Sequence, residues 1–355
     1  MLSRRVKSGA AVTLQYGSKT FSTTSHNHFK VTVAGGSGGI GQPLCLLLKQ
    51  NSLVSHLAVY DISKITPGVA VDLSHIDTAT RVTGHKGVDQ ACEAMKDADV
   101  VLIPAGMPRK PGMTRDDLFS SNASILRDIT ADFAKYAPEK SIMAIITNPV
   151  NSMVPIASEV LKKAGKYDPR RVLGVTTLDI VRAATFVGQI NCIDPAEVTV
   201  PVLGGHSGVT IVPALSQCQP PVKLCNEEDI KRLIKKIQEA GTAVLNAKAG
   251  GGTATLSMAY AAARFTCSIL RALAGEANIV ECAFVKANRC DTPYFACPIL
   301  LGRNGLEKNL GTGNLNELES SLLKKAIPEL LKNIKTGEDF VMKPQTVCPP
   351  DPCKS

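Results

Sequence analysis

The sequence has no tryptophan, and only 4% of its residues are aromatic. A hydrophobic fraction of 44% in 355 residues still suffices for a sizeable core, which must then be built from Val, Ile, Leu and Ala. Such β-branched and small residues are typical of a parallel sheet covered by helices. No run of eighteen apolar residues occurs, so the sequence predicts no membrane-spanning helix and no membrane partner.

Acidic residues are missing from the first part of the chain, where Asp61 is the first to occur. Residues 1–30 contain five lysines and arginines, which leaves +4 of the net charge of +9 for the remainder. The remainder has no run of five like charges and no interleaving of basic with aromatic residues. We therefore expect no nucleic-acid partner.

The segment 1–28 is basic, acid-free and rich in Ser and Thr, which is typical of an organelle transit peptide. Apolar residues recur in it every four positions, at Leu2, Val6, Ala10 and Leu14. The segment Lys19–Ser22 is similar to mitochondrial processing sites and predicts cleavage near residues 22–24. The predicted location is the mitochondrial matrix, with a plastid or other organelle as the alternative; an unstructured tail is the alternative interpretation of the segment.

Cysteines are numerous, eleven in all, yet no Cys-x-x-Cys pair occurs. The pattern fits neither a secreted disulfide framework nor a zinc site, so we expect no metal and predict that most thiols are reduced and buried. Only Cys348 and Cys353 lie close together. We interpret their segment, 341–355, as a flexible C-terminal tail; a redox function of the pair is the alternative.

Strand and helix patterns alternate up to about residue 172, which predicts a Rossmann-type doubly wound parallel sheet in an α/β fold. The predicted strands are Val31–Ala34, Leu57–Tyr60, Val100–Ile103 and Ile142–Thr147, with helices at Ile40–Gln50 and Asp117–Ala137. A dinucleotide-binding domain is therefore predicted at 29–172.

The pattern changes in residues 173–340, for which we predict an α+β catalytic domain. Its predicted strands are Val198–Leu203, Val209–Val212 and a β-rich stretch at Ala283–Leu301. Its predicted helices are Glu227–Lys248, Thr255–Ala274 and a closing amphipathic helix between Leu315 and Ile334.

Three glycines in the spacing G-x-x-G-x-x-G follow the first predicted strand and open the first predicted helix. The segment reads Gly35, Gly36, Ser37, Gly38, Gly39, Ile40, Gly41. Missing side chains let the backbone approach a pyrophosphate, whose charge the helix N-terminus stabilises. Asp61 ends the second strand, where its carboxylate can accept hydrogen bonds from ribose hydroxyls and would repel a 2′-phosphate. These features predict NAD rather than NADP; a purely structural turn followed by a strand-end acid is the alternative.

Three further groups could carry chemistry, although each also has a structural interpretation. Arg109 and Arg115 lie in a Pro- and Gly-containing predicted loop, where they could close over an anion or be simply solvated. Asp179 and Arg182 share one face of a predicted helix. They could form a surface ion pair, or Asp179 could orient a histidine while Arg182 binds a carboxylate. His206, between flanking glycines, is either incidental or an accessible base.

Taken together, these motifs resemble the mitochondrial-type malate dehydrogenases of the lactate/malate dehydrogenase family. The likeness spans about residues 29–340 and includes the segments Thr147–Ser152, Ala254–Ala261 and Val280–Lys286. It implies NAD-dependent, reversible hydride transfer between (S)-malate and oxaloacetate, carried out by a homodimer. Residues 288–290 and the tail after Met342 depart from the family pattern.

The resemblance also implies a role for individual residues. His206 would be the general acid/base, paired with Asp179. Arg115 would polarise the substrate carbonyl, Arg182 would bind the carboxylate beside the reacting carbon, and Arg109 would bind the distal carboxylate. Besides the glycine turn and Asp61, the cofactor would contact Asn122, Ile146, Thr147, Asn148 and Met258. Asn148 would also bind substrate.

Arg109 bears on the choice of substrate, because lactate dehydrogenases carry a neutral side chain at this position of the family pattern. A buried arginine left without an anion is costly, so a monocarboxylate should be rejected. The alternatives are a lactate or other 2-hydroxyacid dehydrogenase and a catalytically inactive NAD-binding protein.

Overall fold

The computed structural model describes residues 28–107, 115–224, 226–287 and 291–342. Six strands make up the first part of its sheet: β1 (Phe29–Ala34), β2 (Val54–Asp61), β3 (Arg81–Lys86), β4 (Val100–Ile103), β5 (Ile142–Ile145) and β6 (Val172–Val175). They are parallel and lie in the order β3-β2-β1-β4-β5-β6. This order confirms the predicted doubly wound parallel sheet.

Helices connect most of these strands, as a parallel sheet requires. They are α1 (Gly41–Lys49), α2 (Thr66–Ser74), α3 (Ala91–Met95), α4 (Arg115–Tyr136) and α5 (Val150–Lys163). All residues of β4 and β5 are buried, as expected for central strands covered on both faces.

The second part of the chain continues the same sheet. Its helices are α6 (Thr177–Asn191), α7 (Glu227–Ala247), α8 (Leu256–Leu273) and α9 (Glu317–Met342), and its strands are β7 (Val202–Gly204), β8 (Ile211–Pro213), β9 (Ile279–Lys286), β10 (Tyr294–Gly302) and β11 (Gly305–Asn309). β9 pairs antiparallel with β6, and the sheet then runs β9-β10-β7-β8, with β11 on β10. All eleven strands of the described residues therefore belong to one sheet.

Close helix packing brings the C-terminal helix onto the first part of the fold. α9 packs against α5, and a Cβ on Gly337 would overlap the Ser152 carbonyl oxygen. The absent side chain lets the two helix backbones come together, which places α9 beside the residues that follow β5.

The strands on either side of His206 are shorter than predicted. β7 begins at Val202 rather than Val198, because Pro201 has no N–H with which to extend the ladder. Val209 is not in a strand but in a 3₁₀ turn, Gly208–Thr210, that precedes β8. The two short strands do pair antiparallel, so the predicted hairpin is correct in its pairing and wrong in its length.

The prediction of reduced, buried thiols is correct only in part. None of the seven cysteines for which contacts are described forms a disulfide. Cys45, Cys218, Cys282 and Cys297 are buried, whereas Cys92 and Cys192 are exposed. Cys348 and Cys353 lie outside the described residues, as do the proposed transit peptide and tail, apart from their boundary residues.

Candidate active site

The glycine turn connects the end of β1 to the start of α1. Gly35 has φ +101°, and a Cβ there would come within 2.6 Å of the Ala105 backbone. A Cβ on Gly41 would overlap the Gly35 carbonyl oxygen. Neither position can hold a side chain in this conformation. The backbone of the turn is therefore not covered by side chains at these positions, at the carboxyl end of the sheet, where a pyrophosphate would bind.

Asp61, the last residue of β2, is held in a fixed orientation beside this turn. Its Oδ2 accepts the Ser37 N–H at 3.0 Å, and its Oδ1 accepts the Ser63 N–H at 3.1 Å. Each carboxylate oxygen retains a further lone pair for a hydroxyl donor. The residues of the turn and Asp61 thus fit a dinucleotide with a free ribose 2′-hydroxyl.

The segment after β5 is tied to the ends of the neighbouring strands. The N–H groups of Ile146 and Thr147 both donate to the Ile103 carbonyl at 3.0 Å. The Thr147 hydroxyl lies 2.7 Å from the Ala105 carbonyl. Ala105 is also the residue that Gly35 approaches, so this segment and the glycine turn meet at the same point.

Asn122, on α4, links two loops of this region. Its Oδ1 accepts the Met107 N–H at 2.8 Å, and its Nδ2 donates to the Asn148 carbonyl at 2.9 Å. Asn122 is buried, whereas Asn148 is exposed. Asn122 is therefore placed to position the backbone on which Asn148 sits.

Met258 reaches the region from α8. A Cβ on Gly39 would lie 3.3 Å from Thr255 Cγ2, at the start of this helix. The N-termini of α1 and α8 thus meet at the glycine turn, with Met258 buried one turn further along α8. No sequence pattern indicates this contact, because it joins residues more than two hundred positions apart.

His206 and Asp179 form a direct pair. His206 Nδ1 lies 2.5 Å from Asp179 Oδ2, and the two side chains are 8% and 1% exposed. Asp179 lies in the first turn of α6, immediately after β6, and His206 follows β7. The interpretation of Asp179 as a surface charge is wrong, because burial this complete requires a partner for a carboxylate.

Arg182 completes this cluster from the next turn of α6. Its Nη1 lies 3.9 Å from Asp179 Oδ1, and its side chain is only 14% exposed. Burial lowers the pKa of the Arg182 guanidinium from its ordinary value, and Asp179 only partly opposes this. A guanidinium desolvated in this way gains from an incoming carboxylate, which it can bind through two parallel hydrogen bonds.

The structure describes the side chains of neither Arg109 nor Arg115, the two other predicted substrate-binding arginines. Arg109 lies outside the described residues, and Arg115 is described only as the first residue of the α4 backbone. The start of α4 follows the loop that leaves β4, next to β1 in the sheet.

The sequence interpretation missed Asn151, which contacts the His206 backbone. Its Oδ1 accepts the His206 N–H at 2.9 Å. Asn151 was noted only as part of the segment Thr147–Ser152, since nothing in a linear pattern shows that α5 touches the turn after β7.

Neither a metal cluster nor a membrane helix is found in the part of the chain that the structure covers. No group of three or more His, Cys, Asp or Glu residues there could hold a metal ion. No helix there is long and apolar enough to cross a membrane.

Comparison with known proteins agrees with this geometry. Residues 29–174 match the NAD-binding domain of lactate/malate dehydrogenases, and residues 176–341 match the alpha/beta C-terminal domain of the same enzymes. The chain is 55% identical to a protein of Felis catus named malate dehydrogenase, mitochondrial, over 91% of this chain and 95% of the relative.

Solved structures of two kinds of dehydrogenase resemble the fold equally well. Cryptosporidium parvum malate dehydrogenase matches with a TM-score of 0.76 at 25% identity, covering 88% of this chain and 99% of that one. A lactate dehydrogenase of the same organism, solved with lactic acid and NAD, gives a TM-score of 0.76 at 25% identity, with 88% and 98% covered. Since both family models match and together account for nearly all the described residues, the chain belongs to the lactate/malate dehydrogenase family, with its NAD-binding domain first.

Proposed function

We propose that this chain is an NAD-dependent malate dehydrogenase, which interconverts (S)-malate and oxaloacetate. The observation that carries the proposal is the buried His206–Asp179 pair with Arg182 beside it, in a chain 55% identical to a relative named malate dehydrogenase. A base, its carboxylate partner and a carboxylate-binding guanidinium are the groups that oxidation of a 2-hydroxy acid requires.

In the proposed mechanism His206 accepts the hydroxyl proton of malate. Its Nδ1 faces Asp179, so the proton on Nδ1 is held by the carboxylate and Nε2 is left to act as the base. As the ring becomes cationic, the adjacent Asp179 carboxylate stabilises the charge. Bound NAD supplies the hydride acceptor for the C2 hydrogen. In the reverse direction, the protonated imidazole returns the proton to the carbonyl oxygen of oxaloacetate.

The arginines would orient and polarise the substrate. Arg182 would bind the carboxylate next to C2, which relieves the cost of its own burial. Arg115 would stabilise the charge that grows on the substrate oxygen, and Arg109 would bind the distal carboxylate. Asn148, whose side chain is exposed beside the start of α5, would donate to the substrate and contact the cofactor.

The same proposal assigns the cofactor contacts and the domains. The glycine turn would hold the pyrophosphate and Asp61 the ribose, while Asn122, Ile146, Thr147 and Met258 would line the site near Asn148. We place the boundary between the NAD-binding domain, 29–172, and the catalytic domain, 173–340, within β6, shortly before α6.

Lactate dehydrogenase is the second candidate function, because a structure of that enzyme matches this fold as closely as a malate dehydrogenase does. An NADH absorbance assay of purified residues 25–355 with oxaloacetate or pyruvate separates the two. We expect turnover of oxaloacetate and poor turnover of pyruvate, and a preference for NADH over NADPH because Asp61 repels a 2′-phosphate. A preference for pyruvate would overturn the proposal.

Replacing Arg109 tests the assignment of the distal carboxylate. We expect Arg109→Gln to lower kcat/KM for oxaloacetate by about 10²–10³-fold, since a charged pair is lost, while pyruvate loses little. Lys110→Gln, at the next residue of the sequence, serves as the matched control and should leave turnover of both substrates nearly unchanged. Equal losses for oxaloacetate and pyruvate in Arg109→Gln would contradict the assignment.

The composition of the N-terminal segment and the names of the relatives together indicate a location. Residues 1–28 have the composition of a transit peptide, and the relatives are named mitochondrial, so we propose the mitochondrial matrix. A fusion of residues 1–28 to a fluorescent protein should enter mitochondria and not plastids.

Exposed apolar side chains on α1, on α8 and on or directly before α2 are compatible with a homodimer; they include Leu46, Ile65, Val71, Leu256 and Tyr260. Sedimentation of the purified protein should give twice the monomer mass.

A further inference from the structure

We propose that Asn151 is a positioning residue, which fixes the His206 backbone and so directs the imidazole toward the substrate. The inference rests on the proposed function of His206. Asn151 does not touch the ring, and it would act only through the turn that carries it.

The Asn151 side chain is fully buried, and its orientation is determined by chemistry. The His206 N–H can only donate, so the atom 2.9 Å from it must be the amide oxygen of Asn151. The Nδ2 group then faces acceptors on the opposite side, namely Ser207 Oγ at 3.0 Å and Thr210 Oγ1 at 3.2 Å. One amide therefore binds the turn after β7 at His206 itself and at two residues that follow it.

The same amide also connects this turn to the C-terminal helix. Asn151 Nδ2 lies 3.0 Å from Asn333 Oδ1 on α9. The turn approaches so closely that a Cβ on Gly205 would lie 2.6 Å from Asn151 Oδ1 and 2.8 Å from Leu330 Cδ2. A glycine before His206 is thus what allows the backbone to reach the Asn151 amide.

Two hydrogen bonds, one at the ring of His206 and one at its main chain, determine the orientation of the ring. Asp179 holds Nδ1 of the ring, and Asn151 holds the N–H of the main chain. With the Asp179 anchor alone, the backbone could shift while the ring pivoted about Nδ1, and Nε2 would move relative to the substrate. Displacements of about 1 Å in catalytic groups cost as much as about 100-fold in rate.

Asn151 also connects the proposed base, His206, to the segment that contains the proposed substrate-binding residue Asn148. Asn148 lies just before α5, and its carbonyl accepts a hydrogen bond from Asn122 Nδ2. Asn151 lies in the first turn of α5, so the group that would bind substrate and the group that anchors the base are close in the chain, which couples the position of His206 to that of the bound substrate.

The test compares Asn151→Ala with Ser152→Ala as the matched control. The Ser152 hydroxyl donates to the Asn333 carbonyl at 2.7 Å, so its loss weakens the same contact between α5 and α9 without touching the His206 turn. Melting temperature, the Kd for NADH, kcat and KM for oxaloacetate, and hydrogen–deuterium exchange of the peptide around His206 are measured for both variants.

We expect Asn151→Ala to lower kcat by about 10–100-fold with a Kd for NADH within about twofold of wild type, and to accelerate exchange around His206. Ser152→Ala should lower the melting temperature comparably, with kcat and exchange close to wild type. Asn151→Asp keeps an acceptor for the His206 N–H and should recover most of the slow exchange that Asn151→Ala loses.

Two results would overturn the inference. One is an equal loss of kcat in Asn151→Ala and Ser152→Ala, which would show a merely structural contribution. The other is unchanged exchange around His206 in Asn151→Ala. Absence of oxaloacetate turnover in the wild-type protein would instead refute the proposed function, and the exchange comparison would still judge the Asn151 contact.

Discussion

The Asp179 side chain is a buried carboxylate that lies between a histidine and an arginine. It is buried, its Oδ2 contacts His206, and no hydrogen-bond donor within the described ranges reaches its Oδ1. Arg182 Nη1, at 3.9 Å from that oxygen, lies beyond hydrogen-bonding distance but close enough for charge attraction. A buried carboxylate with one unsatisfied oxygen is stabilised by a positive charge beside it, and in the proposed mechanism this charge is the imidazolium that forms when His206 accepts the malate proton.

Removing the charge of Asp179 while keeping its shape should therefore disable the base. In Asp179→Asn an amide N–H can face Nδ1 of His206, which places the ring proton on Nε2, where it blocks acceptance of the malate proton. We expect kcat for malate oxidation to fall by about 10²–10⁴-fold, measured by NADH absorbance. The control Asp194→Asn, in an exposed 3₁₀ turn, should retain wild-type activity. A loss of less than about fivefold in Asp179→Asn would exclude this function of the carboxylate.

At the scale of the elements, the connection from β1 to α1 leaves no room for an added side chain at Gly41. A Cβ on Gly41 would overlap the Gly35 carbonyl oxygen, whereas a Cβ on Gly68, in α2, would meet no atom within 4 Å. Identical substitutions at these two helical glycines should therefore have opposite effects.

We expect Gly41→Ala to destabilise the protein and weaken NADH binding by about tenfold or more, because the turn must open to admit the methyl group. Gly68→Ala should instead stabilise the fold by about 0.5–1 kcal/mol, since it lowers the entropy of the unfolded chain. Urea denaturation and quenching of NADH fluorescence measure the two effects. Normal NADH affinity in Gly41→Ala would show that the turn does not approach the pyrophosphate.

The edge of the parallel sheet contains a pH-sensitive cluster on β2 and β3. His56 Nε2 and His85 Nε2 each lie 2.8 Å from the Thr83 hydroxyl. Burial, together with Lys30, Arg81 and His85, lowers the pKa of His56 to about 4, and burial also lowers the pKa of His85. The unfolded chain therefore binds more protons than the folded one between the ordinary histidine value and about pH 4.

Stability should fall as pH drops through this window, because protonation favours the unfolded chain. The variant His56→Gln can still hydrogen-bond Thr83 but has no imidazole to protonate. Between about pH 8 and about pH 5, we expect its free energy of unfolding to fall by about 1 kcal/mol less than that of the wild type. Thermal melts at both pH values report the difference, and the exposed His75→Gln serves as the control. A wild-type pH slope in His56→Gln would show that this histidine is not responsible.

Elements with strong apolar patterns could be predicted from the sequence, and weakly patterned ones could not. The predicted strand Val100–Ile103 has its observed bounds, because a four-residue apolar run between Asp99 and Pro104 fits a buried strand. β3, with the sequence Arg81–Lys86, was missed since an edge strand of polar residues and one valine shows no such pattern. The His206–Asp179 pairing followed only from the family resemblance, because no local pattern shows that β7 lies near α6.

At the scale of the whole molecule, the two family domains share one sheet. β6 and β9 pair across the domain boundary, and a Cβ on Gly174 would lie 3.0 Å from Phe284 Cβ. α8, from the second domain, packs on α1 of the first. The halves therefore complete each other's cores and hydrogen-bond ladders rather than meeting at a polar interface.

We expect residues 29–174, expressed alone, to aggregate. Truncation leaves one edge of β6 unpaired and uncovers the face of α1 that α8 protects, and exposed edges and apolar faces promote association. Residues 29–342 are the matched control and should elute as a defined species in size-exclusion chromatography. A monodisperse 29–174 fragment that binds NADH as tightly as the control would show that the first domain is independently stable.

The short distance in sequence from Asn148, just before α5, to Asn151, in its first turn, has a consequence for the mutations that this chain can tolerate. Substitutions nearby leave this spacing intact, but a residue inserted or deleted directly before Asn151 turns the Asn151 amide by about 100° around the axis of α5. Such a frame-preserving length change would separate substrate from proton acceptor even if every original residue were retained. We therefore expect related sequences to show substitutions across this segment far more often than insertions or deletions.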